Sequence, residues 1–147
     1  MRSEADRRAG CPAAAALDVV GERWSLLVLR ELFYGVHRFD AIARHTGAPR
    51  NILTTRLRHL EAAGVVERRQ YQAAPSRSDY HLTGSGAELL PVVLALMDWG
   101  NRHAVDRPRL MRHSCGAELR AVTVCADGGR PAEADDVVAP GRKPVGV

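Results

Sequence analysis

Residues 49–64 read PRNILTTRLRHLEAAG, and this stretch decides the fold. At about 100° per residue, Leu53, Leu57 and Leu60 fall within about 60° of one another and form the buried stripe of a helix. The helix begins at residue 49 or 50, and Gly64 supplies its C-terminal stop after residue 63. We therefore predict one helix with a single apolar face.

The opposite face of this helix is polar and has one acid, Glu61, near its C-terminal end. Its polar side chains are Asn51, Thr54, Thr55, Arg58 and His59. Such groups can donate and accept hydrogen bonds at base edges and phosphates. A helix that only covered a core would do as well with Glu and Lys at these positions, so we predict a DNA recognition helix.

The next residues, 65–83, read VVERRQYQAAPSRSDYHLT and indicate a β-hairpin. We predict strands over 65–71 and 80–83, joined by a polar turn over 73–79 that carries Arg77 at its tip. In a winged helix, such a hairpin lies beside the recognition helix and places a basic tip on the neighbouring backbone or minor groove. The alternative is an ordinary hairpin that covers the core.

Three helical segments precede the recognition helix, over residues 12–20, 24–33 and 40–45. We expect Asp40 to be the N-cap of the third segment, with Thr46-Gly47 as the turn after it. Only a few residues join the 40–45 segment to the recognition helix. These two helices and the 24–33 segment together span about 40 residues, which are the dimensions of a helix-turn-helix.

A long helix over residues 85–103 is predicted after the hairpin, and it is too apolar to be half exposed. A helix with two apolar faces beyond a small domain needs a second partner surface. For a DNA-reading protein a twofold mate is the economical choice, and burial within the same chain is the alternative.

Positive charge is concentrated in the middle of the chain, which has a net charge of +4 and an isoelectric point near 9.4. Residues 36–80 hold eight arginines against four acids, so the remaining 102 residues are balanced. A central segment with the whole excess is the electrostatic footprint expected of a nucleic-acid-binding face. The alternative interpretation is a solvated arginine-rich surface.

The length of 147 residues fits one globular domain and excludes a large multidomain enzyme. No window approaches the roughly 20 continuous apolar residues needed to span a bilayer. Charged residues precede Cys11 where a signal sequence would be apolar, so we expect no signal peptide and a cytoplasmic location. The three cysteines form no disulfide framework in a chain this long.

Several motifs occur in order along the chain: Cys11-Pro12, residues 18–32 (DVVGERWSLLVLREL), Arg38-Phe39, residues 53–66 (LTTRLRHLEAAGVV), residues 80–83 (YHLT), and Gly86 with Trp99. Together they resemble the HxlR family of bacterial winged-helix regulators, which are relatives of MarR. The resemblance implies a mainly α fold with a small β-hairpin (α+β), a winged helix-turn-helix that forms a homodimer through the first and last helices of the domain. Each recognition helix would enter a major groove of a pseudo-palindromic double-stranded DNA operator, with half-sites about one helical turn apart or a multiple of it.

The resemblance also assigns DNA contacts to particular residues. Arg50, Asn51, Thr54 and Thr55 match the exposed front of the family's recognition helix, Arg77 matches the wing tip, and Arg38 matches a basic residue that would meet phosphate. Relatives usually begin the recognition helix with a Ser-like cap, but this chain has Ala48-Pro49 there. A hydroxyl that could touch phosphate is therefore missing.

Cys11 matches the position of a thiol that senses quinones, aldehydes or oxidants in several relatives. Independently, a thiol just ahead of a helix N-terminus, with Arg7 and Arg8 close in sequence, is favoured for attack on electrophiles or for oxidation. The alternative is a small residue packed at the dimer seam. We expect no cofactor.

Four segments are predicted: a flexible N-terminal arm over 1–10, a winged helix-turn-helix DNA-binding and dimerisation domain over 11–105, a small hairpin over 106–131 and a flexible tail over 132–147. The hairpin resembles a zinc-ribbon-like appendage of some family members. A structural zinc site needs four ligands, and His113, Cys115 and Cys125, with Asp127 as the only candidate for the fourth, are a strained substitute. We therefore expect a degenerate, metal-free hairpin.

Three functions follow as hypotheses. The leading one is a homodimeric repressor of a nearby gene, released by an electrophile or oxidant acting at Cys11 or by a small ligand. The second is a winged-helix protein-interaction module that binds no DNA. The third, a thiol or metal enzyme, is opposed because the sequence has no paired base, Gly-rich phosphate loop or complete metal quartet. We therefore predict a non-enzymatic protein without a membrane partner.

Overall fold

The computed structural model describes residues 10–141, so most of the predicted N-terminal arm and the end of the predicted tail lie outside the described residues. The chain divides into two compact units, Met1–Val93 and Leu94–Val147. The first unit contains helices α1 (Pro12–Val20), α2 (Arg23–Phe33), α3 (Phe39–Thr46), α4 (Arg50–Ala62) and α5 (Gly84–Ala87), and strands β1 (Val66–Gln72) and β2 (Arg77–Leu82). Helix α6 (Leu90–His103) crosses the boundary between the units. The helices and the antiparallel hairpin confirm the predicted α+β winged helix-turn-helix fold.

The core of the first unit is built by helix α2, which packs against both α3 and α4. The predicted apolar stripe of α4 is confirmed, because its three leucines are at most 1% exposed. The largest fully buried apolar side chains are Val28, Leu29, Ile42, Leu53, Leu57, Leu60 and Val66. Burial of these side chains fixes which face of α4 remains outside.

Helix α3 begins one residue earlier than the sequence predicts. Its N-cap is Arg38, and the prediction that Asp40 is the N-cap is wrong. The reason is a tertiary contact: Arg38 has an extended backbone and forms an isolated antiparallel bridge with Asp79 of β2. Because Arg38 is held in an extended conformation, it cannot join the helix, and Phe39 becomes the first helical residue.

Strand β1 lies one residue later than predicted, β2 is longer than predicted, and the turn between them is confined to residues 73–76. Arg77 is therefore the first residue of β2, paired with Gln72, and the prediction that it sits within the turn is wrong. The register shifts between Gln70 and Gln72, which leaves Tyr71 as the extra residue of a bulge. A bulge re-aims a side chain relative to the regular ladder.

The single long helix predicted over residues 85–103 is wrong, because the chain forms the separate helices α5 and α6 there. The physical reason is Pro91, the second residue of α6. Proline lacks a backbone N–H and clashes with the preceding turn inside a helix, but it fits a first turn. The hydroxyl of Thr83 caps α5 by accepting a hydrogen bond of 3.2 Å from the backbone N–H of Gly86.

The second unit, described by itself, is mostly irregular after α6. The carboxylate of Asp98 accepts a hydrogen bond of 2.7 Å from the backbone N–H of Ala121. Two isolated bridges close turns within the predicted 106–131 hairpin, Arg112–Glu118 and Val124–Pro131. A 3-10 turn, Ala134–Asp136, lies in the predicted tail.

None of the helices within residues 10–141 is long and apolar enough to cross a lipid bilayer.

Candidate nucleic-acid interface

The outer face of α4 is polar and exposed along most of its length. Arg50, Asn51, Thr55 and Arg58 are exposed, and Thr54 is half-buried. The Thr54 hydroxyl donates to the carbonyl of Arg50 at 2.9 Å, and the Thr55 hydroxyl donates to the carbonyl of Asn51 at 3.0 Å. Each hydroxyl oxygen can still accept a hydrogen bond from an outside donor.

Arg50 is held at the edge of this face by the first turn of α3. Its Nη1 donates to Oδ1 of Asp40 at 2.8 Å, and its guanidinium lies 4.8 Å from the centre of the Phe39 ring. The Arg50 and Asp40 side chains are 69% and 78% exposed. An ion pair this exposed contributes little to stability, so Arg50 can exchange Asp40 for another anion at small cost.

Arg58 lies close enough to Tyr80 of β2 for its charge to act on the Tyr80 phenol. Burial raises the pKa of the Tyr80 phenol above its ordinary value, the charges of Arg68 and Arg58 oppose that rise, and Glu61 adds to it. The phenol is therefore protonated at neutral pH. A charge on α4 therefore acts on a side chain of the hairpin.

His59 has a different neighbourhood from the other predicted contacts. Its Nε2 donates to the backbone carbonyl of Asp18 in α1 at 3.0 Å. At about 100° per residue, His59 lies about 100° around α4 from Arg58. The structure brings the front residues of α4 together and gives His59 a partner within the chain, where it joins α1 to α4.

A cleft of about 510 Å³ lies between α3 and the hairpin. The predicted contacts Arg38 and Arg77 line it, together with Arg44 and Tyr71. The guanidinium of Arg38 lies 4.3 Å from the centre of the Tyr71 ring. In the sequence, Arg44 is one of eight central arginines and no pattern distinguishes Tyr71, since the bulge and the strand register decide which side chains border the cleft.

Contacts with residue 37 hold the hairpin against the start of α3. The backbone N–H of Tyr80 donates to the carbonyl of His37 at 2.9 Å, and Nδ1 of His37 donates to the carbonyl of Tyr80 at 2.8 Å. The ring of His37 also stacks on that of His81, with centres 4.1 Å apart. These contacts hold β2 beside Arg38, which borders the cleft.

Cys11 is exposed and is the N-cap of α1, with an extended backbone and no side-chain cap hydrogen bond. Val20 is the buried residue of this helix. The thiol therefore stands at the helix start, where the sequence predicts it. Arg7 and Arg8 lie outside the described residues.

Within residues 10–141, no group of three or more His, Cys, Asp or Glu side chains is placed to hold a metal ion. Cys115 and Cys125 are exposed free thiols. The geometry of the described chain therefore offers no assembled zinc site in the 106–131 segment.

The helix pair α3–α4, the exposed polar front of α4 and the basic cleft beside the hairpin define a winged helix-turn-helix transcriptional regulator. The sequence profile of the HxlR-like helix-turn-helix family matches residues 19–107, and the chain belongs to this family. This confirms the predicted family. Its members are transcription regulators, a non-enzymatic class, which also confirms the prediction of a non-enzymatic protein.

Relatives and solved structures agree with this family. The chain is 40% identical to the uncharacterised HTH-type transcriptional regulator Rv3095 of Mycobacterium tuberculosis, over 83% of this chain and 80% of that protein. It is similar to the crystal structure of PA1607, a candidate transcription factor, with a TM-score of 0.80, 32% identity and coverage of 94% of this chain and 99% of that one. The oxidised form of the redox regulator HypR matches with a TM-score of 0.59 and 33% identity, over 65% of this chain and 99% of that one.

Proposed function

We propose that this transcriptional regulator is a homodimeric repressor of a nearby gene, released from double-stranded DNA by an electrophile or oxidant acting at Cys11 or by a small ligand. The observation that carries DNA binding is the exposed front of α4, where Arg50, Asn51, Thr55 and Arg58 are accessible. Side chains of these types can read base edges in a major groove, while arginines at the hairpin meet flanking phosphates.

The assignment of DNA contacts divides into two groups. Asn51, Thr54, Thr55 and Arg58 are proposed to approach bases or phosphates from the helix, because they share its outer face. Arg38 and Arg77 are proposed to contact the backbone from the hairpin side, because both line the cleft there. The bond from His59 to Asp18 supports a role for His59 in positioning α4 rather than in direct contact.

Dimerisation is supported by apolar side chains that stay exposed on α1 and α6. Leu17 of α1 is 62% exposed, and Leu96 and Trp99 of α6 are 53% and 59% exposed. Leu96 and Trp99 are three residues apart and therefore share one face of α6. A second copy is the proposed occupant, since a twofold dimer matches the symmetry of a palindromic operator.

Replacing Leu96 tests the dimer. We expect the wild-type chain to sediment at twice its mass of 16.0 kDa. Leu96→Glu should place a charge in the apolar interface and weaken the dimer at least about tenfold, because burying an unpaired charge is costly. Val122→Glu is the matched control, since Val122 is 65% exposed and lies outside α6. A monomeric wild type, or equal dimer constants for all three chains, would contradict the proposal.

The regulatory part of the proposal depends on the thiol at the start of α1. Cys11 is accessible, and α1 reaches α4 through the hydrogen bond between Asp18 and His59. A group added to the thiol, or a disulfide formed there, would change how α1 packs and thereby move α4 relative to its mate. The structures of HypR in oxidised and reduced forms show that relatives with this fold include redox regulators.

A gel-shift assay tests DNA binding and the thiol together. The probe is the chain's own upstream intergenic DNA, with and without diamide or 1,4-benzoquinone, and Cys11→Ser is run beside wild type. We expect both proteins to bind and only wild type to release after treatment. If neither protein releases, Cys11 is not the sensor; if both release, another group such as Cys115 or Cys125 responds.

The same assay separates the regulator from a protein-interaction module. DNA binding through arginines should weaken steeply as salt rises, because counterions are released when phosphates are neutralised. Absence of binding by both proteins, even at low salt, would refute DNA binding at this locus and favour the module.

A further inference from the structure

We infer that the cleft between α3 and the hairpin seats one phosphodiester group of the DNA backbone, held by Arg44 together with Arg38 and Arg77. This inference rests on the proposed DNA binding and extends it, because Arg44 and Tyr71 enter the interface as new members. Arg44 would bind the phosphate directly, and Tyr71 would position Arg38.

Positive charge lines the cleft. Arg38, Arg44 and Arg77 all border it, and within residues 10–141 none of the three has a carboxylate within ion-pairing distance. The one acid in the lining, Asp40, is engaged by Arg50 at 2.8 Å. Three guanidinium groups gathered without counter-charge repel one another, and an anion placed among them relieves that repulsion.

The side chains of the cleft are partly ordered before any anion binds. The bulge at Tyr71 takes that residue out of the regular strand ladder, and its ring lies 4.3 Å from the Arg38 guanidinium. A cation–π contact limits the freedom of a long side chain before it binds. The cleft is also bordered by the first turn of α3, whose Arg38 cap leaves the leading backbone N–H groups without a side-chain acceptor.

The position of the cleft favours a backbone phosphate over a free anion. The cleft is shared between the helix-turn-helix and the hairpin, the two parts that flank DNA in a winged helix. Asp40 links the cleft to Arg50 at the start of α4 through one ion pair, so the cleft and the exposed front of α4 are neighbours. Backbone contacts of this kind fix the register of the protein without reading sequence.

Salt-dependent binding of Arg44→Gln is the main test. Affinity for the upstream duplex and for an unrelated duplex is measured by fluorescence anisotropy at several NaCl concentrations. We expect about five- to tenfold weaker binding to both duplexes, with the salt slope reduced by about one unit, because one phosphate contact is lost without any base contact. Arg130→Gln removes the same charge from an exposed arginine far along the chain and should leave the slope unchanged.

Variants of Tyr71 test the positioning role. Tyr71→Phe keeps an aromatic ring beneath Arg38 and should retain wild-type affinity and slope. Tyr71→Ala removes the ring, and we expect about threefold weaker binding because Arg38 must then be ordered on association. Equal losses in the Phe and Ala variants would assign the effect to the Tyr71 hydroxyl and overturn this role.

The outcomes separate this inference from the proposed function. If wild type binds no DNA, the proposed function fails and the phosphate seat fails with it. If wild type binds but Arg44→Gln keeps the wild-type slope, the inference alone is wrong. A last experiment titrates inorganic phosphate or benzoate into the protein and follows the NMR signal of the Arg44 side chain. If either anion saturates that signal near 1 mM and displaces DNA, the cleft is a small-anion site and the inference is wrong.

Discussion

Gly86→Ala is expected to lower the free energy of unfolding by about 3 kcal/mol, because its Cβ would overlap the backbone carbonyl of Val65. That carbonyl cannot move aside freely, since it accepts hydrogen bonds of 3.1 Å from both the backbone N–H and the hydroxyl of Thr83. The side chain of Leu82 would also lie only 3.2 Å from the new methyl group. The expected strain therefore falls where β2 passes into α5.

Gly84→Ala provides a matched control two residues away. A Cβ at Gly84 would meet no atom within 4 Å, and the residue is exposed at the start of α5. We expect its stability to stay within about 1 kcal/mol of wild type. Urea unfolding followed by far-ultraviolet circular dichroism measures both variants, and a Gly86→Ala protein as stable as Gly84→Ala would disprove the close contact with Val65.

Glu31→Ala is expected to cost about 3 kcal/mol as well, because it breaks a buried charged network. The residue is 3% exposed. One carboxylate oxygen accepts hydrogen bonds of 3.1 and 2.6 Å from Arg30, and the other accepts a hydrogen bond of 2.8 Å from Nδ1 of His45. Removing the carboxylate leaves these donors without an acceptor and opens space beside the core.

The position of Glu31 means that its replacement should also affect DNA binding. Glu31 lies on α2 and His45 on the last turn of α3, so the carboxylate ties the first helix of the helix-turn-helix to the core. We expect the unfolded fraction of the Glu31→Ala protein not to bind DNA, so that DNA binding falls together with stability. Glu88→Ala is the control, since Glu88 is an exposed carboxylate and its loss should change stability by less than about 0.5 kcal/mol. A Glu31→Ala protein that unfolds at the same urea concentration as Glu88→Ala would contradict the network's importance.

Local sequence determined much of the fold. The spacing of Leu53, Leu57 and Leu60 identified the buried side of α4 and therefore its polar front, because a regular helix repeats its faces every 3.6 residues. Gly64, with a φ of 73°, ended the helix region as expected, since that backbone conformation favours glycine. The order of helices followed by a hairpin could likewise be predicted from periodicity and turn residues.

Features that depend on contacts distant in sequence could not be predicted. The start of α3 moved to Phe39 because Arg38 bridges to Asp79, 41 residues further along the chain. The hydrogen bond between His59 and Asp18 also joins residues that are 41 positions apart in the sequence. Helical periodicity alone places His59 among the polar residues of α4, and only packing reveals that α1 lies beside it.

The sequence by itself determined which helix presents a polar face, where the positive charge is concentrated and which family the motifs resemble, since each of these is written in local spacing or composition. Tertiary structure alone decided that Arg38, Arg44 and Arg77 share a cleft with Tyr71. The physical reason is that a cleft forms from the packing of α3 against the hairpin. The strand register and the bulge at Tyr71 fix that packing, and neither is encoded in the periodicity of a single segment.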